Sequence, residues 1–241
     1  MNHEDKNVSI ELYDDKIGKI QLIQSMGSDA TIARSARVSF GKDEQGDELS
    51  DKDKKLIRYL IKHKHTSTLE HCNVTFKCVV PLFIRSQHHR HRTWSYNEIS
   101  RRYTAEKLEF YEPKQFRTQH KNNRQASNIE ELIDPLVDMG GMDTLLPSSI
   151  MIKNWHANSV KLYNSLMEAG VCREQARGVL PQNLYTEYYA SANLNNIIKF
   201  IDLRSHEGAQ WEIVQVAKAM QNIAQQLFPE TMAAYNEVKK S

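Results

Sequence analysis

A chain of 241 residues that is 40% hydrophobic has enough apolar material for one sizeable core. Its 32 Lys and Arg stand against 30 Asp and Glu, a formal charge of +2, which argues against a broad basic track for nucleic acid. No apolar run approaches the ~20 residues that span a bilayer, Met1–Lys6 lacks the apolar centre of a secretion signal, and three cysteines without a Cys-x-x-Cys pair point to a reducing cytosol and not to a disulfide scaffold.

Val8–Leu12 and Lys19–Ser25 alternate enough to predict two strands joined by a polar turn at Asp14–Lys16. Asp29–Arg37 reads as a short helix, Gly41–Glu48 as a loop, and Asp51–Lys62 as a helix capped by Ser50 with acids in its first turn. Val74, Phe76, Cys78 and Val80 alternate with polar neighbours, which predicts a strand with one buried face. Pro81 ends that strand and opens a helix through Gln87. Pro113–Gly141 reads as an irregular insertion with a short helix at Ile129–Val137. Ser148 or Ser149 is placed as the cap of a long helix that Gly170 stops. A short helix at Cys172–Val179, a strand at Leu184–Ala192, a helix from Asn195 to Leu203 capped by Asn193, and a helix over Gln210–Phe228 follow. Helices outnumber strands without regular alternation, so the expected class is α+β, a single domain with a mixed or antiparallel sheet flanked by several helices. No Gly-x-Gly-x-x-Gly is present, so no dinucleotide-binding βαβ unit is expected.

The chemistry concentrates in Arg85–Tyr103, which holds five Arg, three His, one acid (Glu98) and no Lys. Guanidinium forks grip phosphate and carboxylate bidentately, whereas Lys offers a point charge. Ser95, Asn97 and Ser100 add neutral hydrogen-bonding groups. Glu98, acceptor-only among donors, is suited to orienting an Arg or taking a proton from a ligand.

From Arg90 to Tyr103 the order is Arg-His-Arg-x-x-Ser-x-Asn-Glu-x-Ser-x-Arg-Tyr, which resembles the signature of the flavin-dependent thymidylate synthases. Ala36–Phe40, His65–His71, Arg173–Pro181 and Ala209–Ile213 are similar to further landmarks of that family in family order. The resemblance covers about Ser9 to Pro229. It implies reductive methylation of dUMP to dTMP, with 5,10-methylenetetrahydrofolate as carbon donor, NADPH as reductant and FAD as the relay. It also implies a homotetramer with sites shared between subunits.

Residue by residue, the resemblance assigns Gln87, His88, His89, Arg90, Glu98, Ile99, Ser100, Arg101, Arg102 and Arg177 to the nucleotide. It assigns Ser67, Arg90, His91, Arg92, Glu98, Asn193, Asn195 and Lys199 to FAD; Asn195 and Lys199 stand where the family often has Arg and Asn. Arg204 matches the residue that contacts the uracil ring, where a guanidinium beside ring nitrogen 3 and oxygen 2 activates carbon 5 without a covalent adduct. His206 stands where an acid is common. His65 and His71 are expected to line the flavin pocket.

Two other readings compete. Basic residues interleaved with aromatics also suit single-stranded nucleic acid, but near-neutral overall charge and Glu98 within the patch weigh against it. A cysteine-dependent synthase needs an activated thiolate, and Cys72, Cys78 and Cys172 read as buried, inert thiols. Ser100 reads as a phosphate ligand and not a nucleophile, because no base is paired with it. No zinc pattern is present among the histidines, so no metal is expected. Trp94, Tyr96, Tyr103 and Tyr111 are candidates for stacking on a ring or for ordinary packing.

Overall fold

The computed structural model describes residues 8–41, 48–103, 108–138 and 145–240. The readings of Met1–Lys6, of the loop between Gly41 and Glu48, and of the last residues of the insertion lie outside the described residues. In chain order the elements are β1 (Ser9–Glu11), β2 (Lys19–Met26), α1 (Asp29–Arg37), α2 (Asp51–Lys62), β3 (Asn73–Pro81), α3 (Leu82–His88), β4 (Ser95–Glu98), β5 (Phe116–Gln119), β6 (Ser127–Ile133), β7 (Leu136–Val137), β8 (Leu146–Pro147), α4 (Ser148–Glu168), α5 (Arg173–Ala176), β9 (Tyr185–Asn193), α6 (Leu194–Arg204), α7 (Trp211–Leu227) and α8 (Pro229–Lys240). This is the expected α+β class with antiparallel sheets.

Local chemistry sets the first two helices. Ser28 caps α1 by accepting from the Thr31 amide at 3.4 Å, while the Thr31 hydroxyl accepts from the Ser28 amide at 3.1 Å. Ser50 caps α2 in the same reciprocal way with Asp53, at 3.2 and 2.8 Å, as its position predicted. Gly27, at φ 87°, makes the turn into α1. A Cβ there would also meet the Cys72 sulfur at 2.7 Å.

The main sheet runs β1-β2-β3-β9-β4, with antiparallel neighbours throughout. β3 and β9 pair along their whole length, from Asn73 opposite Asn193 to Pro81 opposite Tyr185. Val74, Phe76, Cys78 and Val80 are buried, as their alternation predicted, and Tyr188, Ala190 and Ala192 of β9 join them. Ile197, Phe200 and Ile201 of α6 and Ile213, Val216, Ala217 and Met220 of α7 belong to the same core. Each fully buried large side chain contributes roughly 1.5–3 kcal/mol, so this shared face, more than intrinsic propensity, holds α6 and α7 in place.

Four expectations need correction. The signature does not pass straight into a loop: Ser95–Glu98 is strand β4, paired with β9 at the edge of the sheet. No helix forms at Ile129–Val137; β6 pairs with β5, and β7 with β8. The segment carries Ile129, Leu132 and Leu136 exposed, so no face is buried and the apolar spacing carries no structural information. Neither Ser148 nor Ser149 caps α4. Pro147 holds the cap position, and Asp134 accepts from the Ser149 amide and hydroxyl at 2.9 and 2.6 Å. Finally, α8 was not anticipated. Its first turn is held by buried Asp29, which accepts from the Glu230 amide, the Thr231 amide and the Thr231 hydroxyl at 2.9, 3.0 and 2.6 Å.

Candidate active site

The signature occupies the end of α3, the loop after it, and β4. Pro81 caps α3 and needs no amide partner there. β4 then lies antiparallel to β9, with Glu98 opposite Tyr188. This pairing brings Glu98 to Thr186, whose hydroxyl donates to the carboxylate at 2.6 Å, and to Arg85, whose Nε lies 3.2 Å away. Glu98 thus orients an arginine, one of the two roles expected of it.

Beside this pair lies a cleft of about 520 Å³. Arg85, Glu98, Ile99, Ser100, Arg101 and Arg177 line it, together with Thr186 and Tyr185. Five residues predicted to bind the nucleotide are therefore neighbours, although Arg177 is distant in sequence. Arg85 is matched by Glu98, and two further guanidiniums leave the cleft with excess positive charge, which suits a phosphate. Arg101 is anchored by its Nη2 to the Tyr185 carbonyl at 3.2 Å, and burial pulls its pKa down from its ordinary value. The Ser100 hydroxyl accepts from the Arg102 amide at 3.3 Å. Arg102 itself is exposed and pairs with Glu174 at 3.5 Å, so it is not in the lining.

A second group gathers around Arg204, the last residue of α6. Its Nε donates to His91 Nε2 at 3.1 Å, and its Nη2 donates to the Gln87 carbonyl at 3.2 Å. His91 must be unprotonated at Nε2 to accept. Burial, and then the Arg204 charge, push its pKa down to about 4, so the imidazole is neutral at physiological pH. Burial and the nearby Arg90 lower the pKa of Arg204 as well, yet a guanidinium stays charged. Arg90 and Arg92 are exposed on the same loop.

Other predicted residues lie elsewhere. His88 is fully buried, its Nδ1 2.9 Å from the Tyr188 hydroxyl, with Trp94 and Phe200 rings against it. It is a core residue and does not reach the cleft. His89 packs on the Tyr96 ring at 4.1 Å between centroids. Ser67 is exposed on a 3-10 turn, Thr66–His71. Asn195 is buried and ties that turn to α6 by donating to Glu70 at 2.9 Å. The Asn193 side chain is spent capping α6, accepting from the Asn196 amide at 3.0 Å. Lys199 is exposed. Apart from Glu98, which lies on β4 in the cleft, the flavin candidates thus form two sets, one on the loop after α3 and one around the start of α6.

Among the aromatic candidates, Trp94 and Tyr111 are buried and Tyr96 is tied to backbone carbonyls, so all three pack the interior; Tyr103 is 79% exposed. Cys72 and Cys78 are buried, as expected. Burial, then nearby Asp29, pushes the Cys72 thiol up to about 12, and burial raises Cys78 well above its ordinary range. Cys172 is exposed, contrary to expectation. Among the described residues no group of His, Cys, Asp and Glu is arranged to hold a metal ion, and no helix is long and apolar enough to cross a membrane.

The sequence reading gave no role to Arg85 or Thr186 in the cleft, nor to Gln210 and Glu212 behind Gln87. Arg85 lies in the Lys-free arginine segment, and Gln210 and Glu212 lie in the family landmark Ala209–Ile213. Thr186 carried no signal, since only strand pairing brings it to Glu98.

Comparison with known proteins identifies the family and the fold. Residues 21–230 match the family described as thymidylate synthase complementing protein. The flavin-dependent thymidylate synthase of Thermus thermophilus is 40% identical over 220 residues, which is 91% of this chain and 76% of that one. The enzyme of the same name from Thermosipho africanus is 39% identical over 221 residues, 90% of each chain. Among solved structures, a UMP/dUMP methylase, PolB, from Streptomyces cacaoi bound with 5-Br dUMP superposes with a TM-score of 0.74 at 30% identity, covering 95% of this chain and 97% of the other. The chain is a methyltransferase and belongs to the flavin-dependent thymidylate synthase family.

Proposed function

We propose that this chain, as one catalytic domain, converts dUMP to dTMP with 5,10-methylenetetrahydrofolate as carbon donor and NADPH as reductant, using FAD and no cysteine nucleophile. The observation that carries the reading is the half-buried Arg204 guanidinium, aimed by two hydrogen bonds to His91 and Gln87. Arg204 is the catalytic residue. A fixed positive charge in a partly desolvated site stabilises negative charge on the uracil ring far better than in water, which raises the nucleophilicity of carbon 5. The cleft lined by Glu98, Ser100, Arg101 and Arg177 supports binding of the nucleotide phosphate, with Arg85 held by Glu98 at its wall.

The donor set also suits a dinucleotide diphosphate. Arg90 and Arg92 offer two exposed permanent charges on one loop, around a neutral His91. FAD, when bound, would supply the hydride relay; Arg90 and Arg92 would hold its phosphates and exposed Ser67 and Lys199 would serve its remaining contacts, whereas the Asn193 and Asn195 side chains are engaged in capping α6 and in bonding Glu70. A homotetramer would unite the two separated sets across subunits. The exposed Trp155 and Leu162 of α4, at 53% and 50%, support such burial between copies. The 5-Br dUMP complex of the structurally similar UMP/dUMP methylase supports the substrate class. We assign the protein to the cytoplasm.

The experiment is direct. Purified chain given FAD, dUMP, methylenetetrahydrofolate and NADPH should be yellow and form dTMP, and formation should stop when FAD is omitted from stripped protein. A colourless chain that takes up no FAD, or dTMP formation unaffected by flavin removal, would overturn the reading.

The cysteines give a second test. Replacing Cys72, Cys78 and Cys172 by Ala should leave dTMP formation within roughly tenfold, because the two buried thiols are held protonated and their loss costs packing of about 0.5–3 kcal/mol each. A folded, flavin-loaded variant with no activity would reinstate a thiolate mechanism.

A further inference from the structure

Behind Gln87 lies a partly buried polar chain that ends on a buried carboxylate. Glu212, in the first turn of α7, is 3% exposed. Its Oε1 accepts from Arg117 Nη2 at 2.6 Å and from the Tyr111 hydroxyl at 3.1 Å. Its Oε2 accepts from Gln210 Nε2 at 3.0 Å. Gln210 Oε1 in turn accepts from Gln87 Nε2. Arg117 comes from β5, where its Nε donates to Ser127 of β6 at 2.9 Å, so the β5–β6 hairpin reaches this chain.

The direction of these bonds follows from chemistry. The two ends of a carboxamide differ little in shape, and its orientation is ordinarily decided by its partners. A carboxylate only accepts. Glu212 therefore forces Gln210 to present its nitrogen, which leaves the Gln210 oxygen for Gln87. Gln87 must then donate through its nitrogen, and its own oxygen and second N–H are left in one fixed arrangement.

We infer that Glu212 is a positioning residue for the nucleotide site: acting through Gln210, its carboxylate sets which end of the Gln87 carboxamide is presented to dUMP. This rests on the reading above, in which Gln87 binds the nucleotide. It also gives the β5–β6 hairpin a role, because Arg117 holds the carboxylate in the position from which the polarity is set.

The test is dUMP affinity by calorimetry on the flavin-loaded protein. Glu212→Gln is nearly isosteric, but Arg117 can only donate and keeps the amide oxygen on its side, so the amide nitrogen faces Gln210 and the polarity of both carboxamides is reversed. It should weaken dUMP binding about tenfold, the equivalent of one misdirected hydrogen bond. The swapped pair, Gln210→Glu with Glu212→Gln, puts the acceptor-only group next to Gln87. It should restore affinity to within about threefold, although Arg117 has lost the charge of its partner. A purely structural role for the Arg117–Glu212 pair predicts no rescue, so a swap as weak as Glu212→Gln alone overturns the proposal. Should Glu212→Gln fail to fold, Gln210→Met decides: it spares the Arg117–Glu212 pair, and wild-type affinity in it overturns the proposal. Wild-type protein that takes up FAD but not dUMP would overturn the reading on which this inference rests, and the inference with it.

Discussion

Arg204→Ala is expected to lower turnover of dUMP to dTMP by about a hundredfold or more, the usual cost of removing one preorganised charged donor. Arg204→Lys should recover only part, because an ammonium on a flexible stem cannot donate to two acceptors in one plane. Flavin content should persist in both, since the assigned partner is the base. Tritium release from position 5 of labelled dUMP follows the step. An unaffected Arg204→Ala enzyme would remove Arg204 from the mechanism. The His91 bond has a pH signature. Burial and Arg204 both disfavour the imidazolium, so the folded pKa lies below the ordinary value of about 6.5. The contribution is present in full above that value and is lost as the pH falls through about 4.

The second large effect is on stability. Asp29→Ala should destabilise the fold by about 2–3 kcal/mol, because it orphans two backbone N–H groups and a buried hydroxyl at the start of α8. Thermal unfolding should shift by roughly 4–12 °C for a chain of this size. Asp29→Asn, which keeps one acceptor oxygen, should lose less. A midpoint within about one degree of wild type for Asp29→Ala would refute the cap.

Much of this fold was legible because local chemistry and tertiary packing agree. Ser50 and Asp53 bound α2, and the buried alternation of Val74 to Val80 marks β3. Reading failed where they part. In β6, Ile129, Leu132 and Ile133 have helix-like spacing, yet all three are exposed, and the strand exists through pairing with β5. In β4 only four residues pair, and Tyr96 is the sole large apolar one, so the period-2 signal is too short to detect. At the site, the residue types were readable and the assembly was not. Arg101 and Arg177 come together because β9 and the turn before it fold beside β4. The imidazoles of His88 and His91, three residues apart, take opposite fates: one packs the core and the other supports Arg204.

The cap of α8 also bears on the order in which the molecule can form. Asp29 lies 202 residues before its partner Thr231, and β3 waits for β9, which begins at Tyr185. On a growing chain, Asp29 is made early and can be buried with its hydrogen bonds satisfied only after the region of Thr231 has emerged. Before that, the centre of the sheet is unpaired on one side and α1 has no lid. Folding must therefore complete late, through contacts far apart in sequence, which is the slow regime of chain topology. Chains cut before residue 229 should populate collapsed states with an unpaired acid at the start of α1, and in the refolding 241-residue chain hydrogen exchange should find α1 and α8 gaining protection together.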